Sequence, residues 1–147
     1  MAARAIALED EYGFGFWGMA AQASQGAALV IVDPGRAAAL IGDALAKPLQ
    51  AVLAWHPYYL CFMAEALLHL DRVMEARFAL DRALVISAST GVTWWDAELH
   101  RIRAAVIRAE GGGSTAIREA LARGVAIAEK QGSETFRRRA AADMDAT

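Results

Sequence analysis

The stretch LCFMAEALLHLDRVMEARFALDRAL (residues 60–84) decides the fold of this 147-residue chain. Small or apolar residues fall at Ala64, Ala76, Leu80 and Ala83, in steps of 12, 4 and 3. The 4 and 3 steps keep one face of a helix in line. The step of 12 carries the chain over a turn and back. The same rhythm occurs on both sides of this stretch. Gly26, Ala37, Ile41 and Ala44 give 11, 4 and 3, and Ala104, Ile117, Leu121 and Gly124 give 13, 4 and 3. In the last unit the extra residue falls in the glycine loop "EGGGS" (110–114), where added length costs little. Small side chains at facing positions let two helix axes approach to roughly 8–10 Å. Three stacked helix–turn–helix units follow, with one helix before them and one after.

Proline and glycine mark the boundaries. "DPG" (33–35) sets Asp33 as an N-cap and Pro34 at the first helical position, where a missing N–H costs nothing. "STGV" (89–92) reads as a loop, and Gly132 as a helix stop. The predicted helices are 2–11, 15–32, 34–47, 56–70, 72–89, 94–109, 115–131 and 133–143. "ALVIV" (28–32) has the composition of a buried strand, but no second strand is available to pair with it. The expectation is one all-α domain over 1–147, with hairpins at about 15–47, 56–89 and 94–131.

Composition excludes several function classes. The net charge is −2 and charged residues make up 22%, which gives no electrostatic case for nucleic acid or an anionic membrane. The run Arg137, Arg138, Arg139 is followed by Asp143 and Asp145 and reads as a solvated helix face. The longest apolar stretch near the start, "GAALVIVDPG", is far short of the ~20 residues of a membrane span. The N-terminus lacks the pattern of a secretory signal, so the expected location is cytoplasmic. Cys61 is the single cysteine and reads as a buried apolar thiol.

The segment TGVTWWDAELHRIRAAV (90–106) holds most of the ionisable side chains that invite a catalytic reading. Thr93 is placed to cap its helix, with Asp96 three residues on. Trp95, Leu99, Ile102 and Val106 form one buried stripe, and Glu98, Arg101, Ala105 and Arg108 a second on another face. Glu98 and Arg101 stand one turn apart and pair. No nucleophile or second acid lies at a fixed spacing, so no enzyme is expected. His69 shares a helix face with Glu65, while His56 and His100 lie elsewhere. A metal site needs three or four convergent ligands, so no metal and no cofactor are expected.

The small-residue spacing resembles that of tetratricopeptide repeats. "EYGFGFWGMA", "HPYYLCFMAEALLHLDRVMEA", and "TGVTWWDAELHRIRAAV" followed by "LARGVAIAEKQGS", resemble the C-terminal repeat region of large bacterial signalling ATPases and adenylate cyclase-linked regulators. The resemblance runs from about residue 5 to 142. It departs at Ala104, where the family usually has glycine, at Gly124, where it usually has alanine, and in the polar ending "RRRAAADMDAT". No GxxxxGK[ST] loop is present, so the ATPase activity of the relatives does not transfer. The resemblance implies a right-handed superhelix and a detached or truncated repeat module.

In such arrays the first helix of each hairpin lines a concave surface. Carried over, this places Tyr58, Cys61, Glu65 and His69 on the groove from the second hairpin, and Glu98, Arg101 and Arg108 from the third. Ala20, Ala23 and Ala27 of the first hairpin would form a small-residue floor. The expected partner is a protein or peptide bound in that groove in bacterial signalling. The alternatives are a small-molecule sensor with its pocket near Tyr58, Glu65, Glu98 and Arg101, or a degenerate fragment that only folds and dimerises. The weakly polar helix 2–11 is a poor cap for a short array and implies a homodimer.

Overall fold

The structure is a computed structural model that describes residues 15–47 and 54–146. Seven helices account for most of them, and no strand occurs among the described residues. They are α1 (Gly15–Leu29), α2 (Pro34–Leu45), α3 (His56–His69), α4 (Val73–Thr90), α5 (Asp96–Ala109), α6 (Ser114–Gln131) and α7 (Glu134–Asp145). The predicted helix 2–11, and with it the basis for the homodimer, lies outside the described residues. None of the described helices is long and apolar enough to cross a membrane.

Local chemistry sets the boundaries. Asp33 caps α2 by accepting the Arg36 backbone N–H at 3.1 Å, with Pro34 at the first helical position. The predicted helix 15–32 is shorter than expected. It ends at Leu29, because the Leu29 carbonyl takes the N–H groups of Val32 and Asp33 and closes a turn into that cap. The α6 stop is Gly132, which adopts φ 67°, a left-handed conformation that costs glycine little. The Ser133 N–H then reaches back to the Ala128 carbonyl at 2.8 Å.

Thr93 does not cap α5. The helix begins at Asp96 with Trp95 as the capping residue, and Trp94 and Trp95 form a turn ahead of it. The Asp96 carboxylate instead accepts the Ser87 hydroxyl of α4. The Thr93 carbonyl takes the Asp96 N–H and, at 2.8 Å, the Gln131 side-chain amide. A buried serine needed a partner, and the acid went to it rather than to the helix start.

The helices pack in a repeating order. α1 lies against α2, α3 against α4, and α5 against α6, each pair joined by a short turn. The second helix of each pair also touches the first helix of the next, and α6 in turn touches α7. The odd-numbered helices α1, α3, α5 and α7 touch successively and form a row. All twelve residues of the three spacing sets are buried. Gly26 shows why small residues stand there. A Cβ at that position would come within 2.7 Å of Ile41 Cγ1 and 2.9 Å of the Ala37 carbonyl oxygen. The α1–α2 approach is therefore closer than any side chain allows.

One core runs from Met19 through the first two hairpins to Leu99, Ile102 and Val106 of α5. The expected stripe of α5 thus seals the second hairpin against the third. A smaller cluster of Ala104, Ile117, Ala120 and Leu121 lies inside the third hairpin. Successive hairpins thus bury apolar faces on one another.

Candidate functional site

The row of odd-numbered helices presents aligned side chains. On α3, Tyr58, Phe62, Glu65 and His69 follow helical steps of 4, 3 and 4. On α5, Glu98, Arg101 and Arg108 continue from Trp94. On α7, Phe136, Arg139 and Asp143 do the same. The three helices thus set aromatic residues near one end and ions beyond them.

The aromatic end centres on Tyr58. Its ring stacks on Trp94 (centroids 5.6 Å, planes at 25°) and meets Trp95, Tyr59 and Phe62 edge-on at 4.6, 4.9 and 5.0 Å. Trp95 also meets Phe136 of α7 edge-on at 4.9 Å. These aromatic residues therefore fill the gap between the second and third hairpins and reach α7. Two indoles at this end stay partly in water: Trp55 is 45% and Trp94 40% exposed, and their rings stand 5.6 Å apart. Trp94, but not Trp55, also lines an open cleft of about 590 Å3 with Gly91, Val92, Thr93, Gln131, Ser133 and Phe136. Burial, with the neighbouring Tyr59 and Cys61, raises the Tyr58 phenol above its ordinary pKa.

Next to the rings is an ion network. Arg101 Nε donates to Glu98 Oε1 at 2.9 Å, and its two terminal nitrogens reach Glu65 and Asp143, each at 3.1 Å. Arg139 approaches the same Glu98 oxygen at 2.8 Å. One guanidinium thereby joins α3, α5 and α7. Burial opposes its charge, but Glu98, Glu65 and Asp143 together hold it more firmly protonated than an ordinary arginine. Glu98 Oε2 is buried and has no hydrogen-bond partner among the described residues.

The six expected groove residues separate into three groups. Tyr58 is half-buried among the rings. Glu65 and Arg101 are spent on the ion network, and Glu98, 2% exposed, is sealed beneath it. Glu98 therefore does not line an open groove, because two arginines and three helices cover it. His69 and Arg108 are exposed. Cys61 is buried against Trp95 and so does not line a groove, and burial, then the Glu98 charge, pushes its thiol pKa up. Ala23, expected on the groove floor, is fully buried, and the Ala20 carbonyl accepts the Tyr59 hydroxyl of α3 at 3.3 Å.

Two residues of the site escaped the sequence reading. Arg139 and Asp143 were assigned to a solvated face, yet they reach Glu98 and Arg101. Arg137 and Arg138 do stay on that face and pair with Glu134. The available signal was the spacing of Phe136, Arg139 and Asp143, which repeats the aromatic-then-ionic order of α3 and α5. Among the described residues, no three of His, Cys, Asp or Glu converge as metal ligands.

No family model matches the chain, and no solved structure matches it. An uncharacterized protein of Rhizobium meliloti (strain 1021) is 36% identical over 103 residues, which cover 70% of this chain and 10% of the relative. The match thus spans about a tenth of that protein's length.

Proposed function

We propose that the chain is a non-enzymatic, tetratricopeptide-like superhelical module that binds a protein or peptide, with bacterial signalling as its setting. The repeating contact order of the helices supports the architecture. Likeness to one segment of a far longer bacterial protein supports reading it as a module of larger polypeptides. The ion network leaves the middle of the odd-helix row occupied, so recognition belongs at its aromatic end. The observation that carries this is the pair of exposed indoles, Trp94 on the wall of an open cleft and Trp55 packed against it. Tryptophans held rigid by neighbouring rings bring large contact area at little entropic cost, the usual character of binding hot spots. An open cleft suits an extended apolar segment of a partner.

The test is selection of displayed short peptides on the intact chain, with counter-selection on Trp55→Ala and Trp94→Ala. Enriched peptides should lose about tenfold or more in affinity on either variant. They should bind normally to an Arg77→Ala control on α4. Enrichment that ignores both indoles, or no enrichment at all, would remove the proposal.

A further inference from the structure

The opposite side of α5 carries a second feature. His100, Arg103 and Ile107 lie at steps of 3 and 4, on the far face from Glu98 and Arg101. Across from them, α6 presents Ala116, Glu119, Ala120 and Arg123, and Leu84 of α4 closes one wall. Together they line a cleft of about 700 Å3. That size lies within the usual range for small-molecule sites.

Three observations point to an anionic ligand with an apolar body. First, His100 is only 8% exposed and lines the cleft, and its Nδ1 is buried with no hydrogen-bond partner among the described residues. An orphaned buried polar atom is rare enough in a folded protein to need an explanation. Second, Arg103 and Arg123 stand at the same cleft, and neither makes an ion pair with a described residue. Third, the rest of the wall is aliphatic: Leu84, Ile107, Ala116 and Ala120.

We propose that this cleft binds a small organic carboxylate. Its apolar body lies on the aliphatic wall, and its carboxylate is held by Arg103 and Arg123, beside His100. Glu119 decides between carboxylate and phosphate. Two arginines less one glutamate leave one positive charge in the cleft, which balances a monoanion and not a dianion. The same glutamate repels the ligand weakly, and this gives the proposal a sign that a merely greasy surface lacks.

The experiment is an NMR titration of the labelled, intact chain with three probes: octanoate, octanol and inorganic phosphate. Octanoate should give saturable shifts centred on His100, Arg103 and Arg123. Octanol and phosphate should each bind at least about tenfold more weakly, since each lacks one half of the recognition. Arg103→Gln and Arg123→Gln should weaken octanoate binding by about tenfold, and Glu119→Gln should tighten it. All three positions are exposed, so folding is not at risk. Trp94→Ala should leave octanoate binding unchanged, which separates this site from the aromatic end. The proposal is overturned by octanoate shifts that fail to saturate, by octanol or phosphate binding as tightly as octanoate, or by the arginine and glutamate variants moving affinity in the same direction.

Discussion

Replacing Arg101 with alanine removes a guanidinium that contacts carboxylates on three helices. Its side chain is 11% exposed, so the contacts are largely shielded from water. What matters most is the group left behind. Glu98 keeps Arg139 at 2.8 Å but loses two contacts to Arg101, and one of its oxygens already lacks a partner. Removing one member of a buried ion pair costs about 3–5 kcal/mol, because the remaining charge is uncompensated. Arg139 survives, and Glu65 and Asp143 are open enough to take up water. These two facts place Arg101→Ala at the lower end, about 3 kcal/mol. For a chain of this length the melting temperature should fall by roughly 10 °C. Urea denaturation followed by far-UV circular dichroism measures the loss directly.

A second variant separates the pair from its surroundings. Glu98→Leu combined with Arg101→Leu removes both buried charges and keeps the space filled. Such replacements are often neutral or stabilising, so the double variant should recover most of the loss. A loss below about 1 kcal/mol in Arg101→Ala would refute the reasoning, since that is the range of an exposed pair. So would a double variant as unstable as the two single changes added together, for then the residues are not coupled.

Three other outcomes are expected. Gly26→Ala should destabilise by about 1–3 kcal/mol, because its Cβ meets a carbonyl at 2.9 Å; Gly42→Ala, whose Cβ would find only Met63 Cε at 3.9 Å, should be neutral or stabilise by up to about 1 kcal/mol in the same thermal unfolding assay. His100 should titrate at about 4, lowered by burial and then by the charges of Arg123 and Arg103. Its unfolded value is near 6.5, so the unfolded state binds the proton first. Its contribution is complete above pH 6.5 and is lost as pH falls toward 4, roughly 1–2 kcal/mol of it by pH 5, and His100→Gln should flatten that decline. Cys61 should resist thiol reagents at mildly alkaline pH, at a rate set by opening of the α3–α5 contact; labelling as fast as a free thiol would mean the core there is open.

The hairpins were legible because their evidence is local. Ala37, Ile41 and Ala44 lie on one helix, and steps of 4 and 3 state which face is buried without reference to any other element. The same holds for Asp33 and Pro34, whose chemistry acts within four residues. The site was less legible because it depends on where one hairpin lands on the next. The charges of Arg137, Arg138 and Arg139 look alike in the sequence. Only the packing of α7 against α5 turns Arg139 toward Glu98 and leaves Arg138 in water. Thr93 failed as a cap for a related reason. Two needs competed for Asp96, and the buried hydroxyl of Ser87, on a different helix, prevailed. His100 was read as one histidine among three, since its cleft is assembled from three helices.

The burial of Glu98 bears on how short helical arrays recognise partners. A side chain that joins neighbouring helices is not free to bind a ligand unless the internal contact breaks. Breaking a buried pair costs about 3–5 kcal/mol, while one new charge-assisted hydrogen bond returns about 1.5–3 kcal/mol. A partner that drew Arg101 away from Glu98 would therefore bind at a net loss. The surface that remains for recognition is the surface not used to join the hairpins. On one side of α5 that is the aromatic end, where Trp55 and Trp94 keep open faces. On the other it is the cleft of His100, where Arg103 and Arg123 make no ion pair among the described residues. α5 is thus a divider: the Glu98 face closes the fold, and the His100 face carries the cleft proposed to hold a carboxylate.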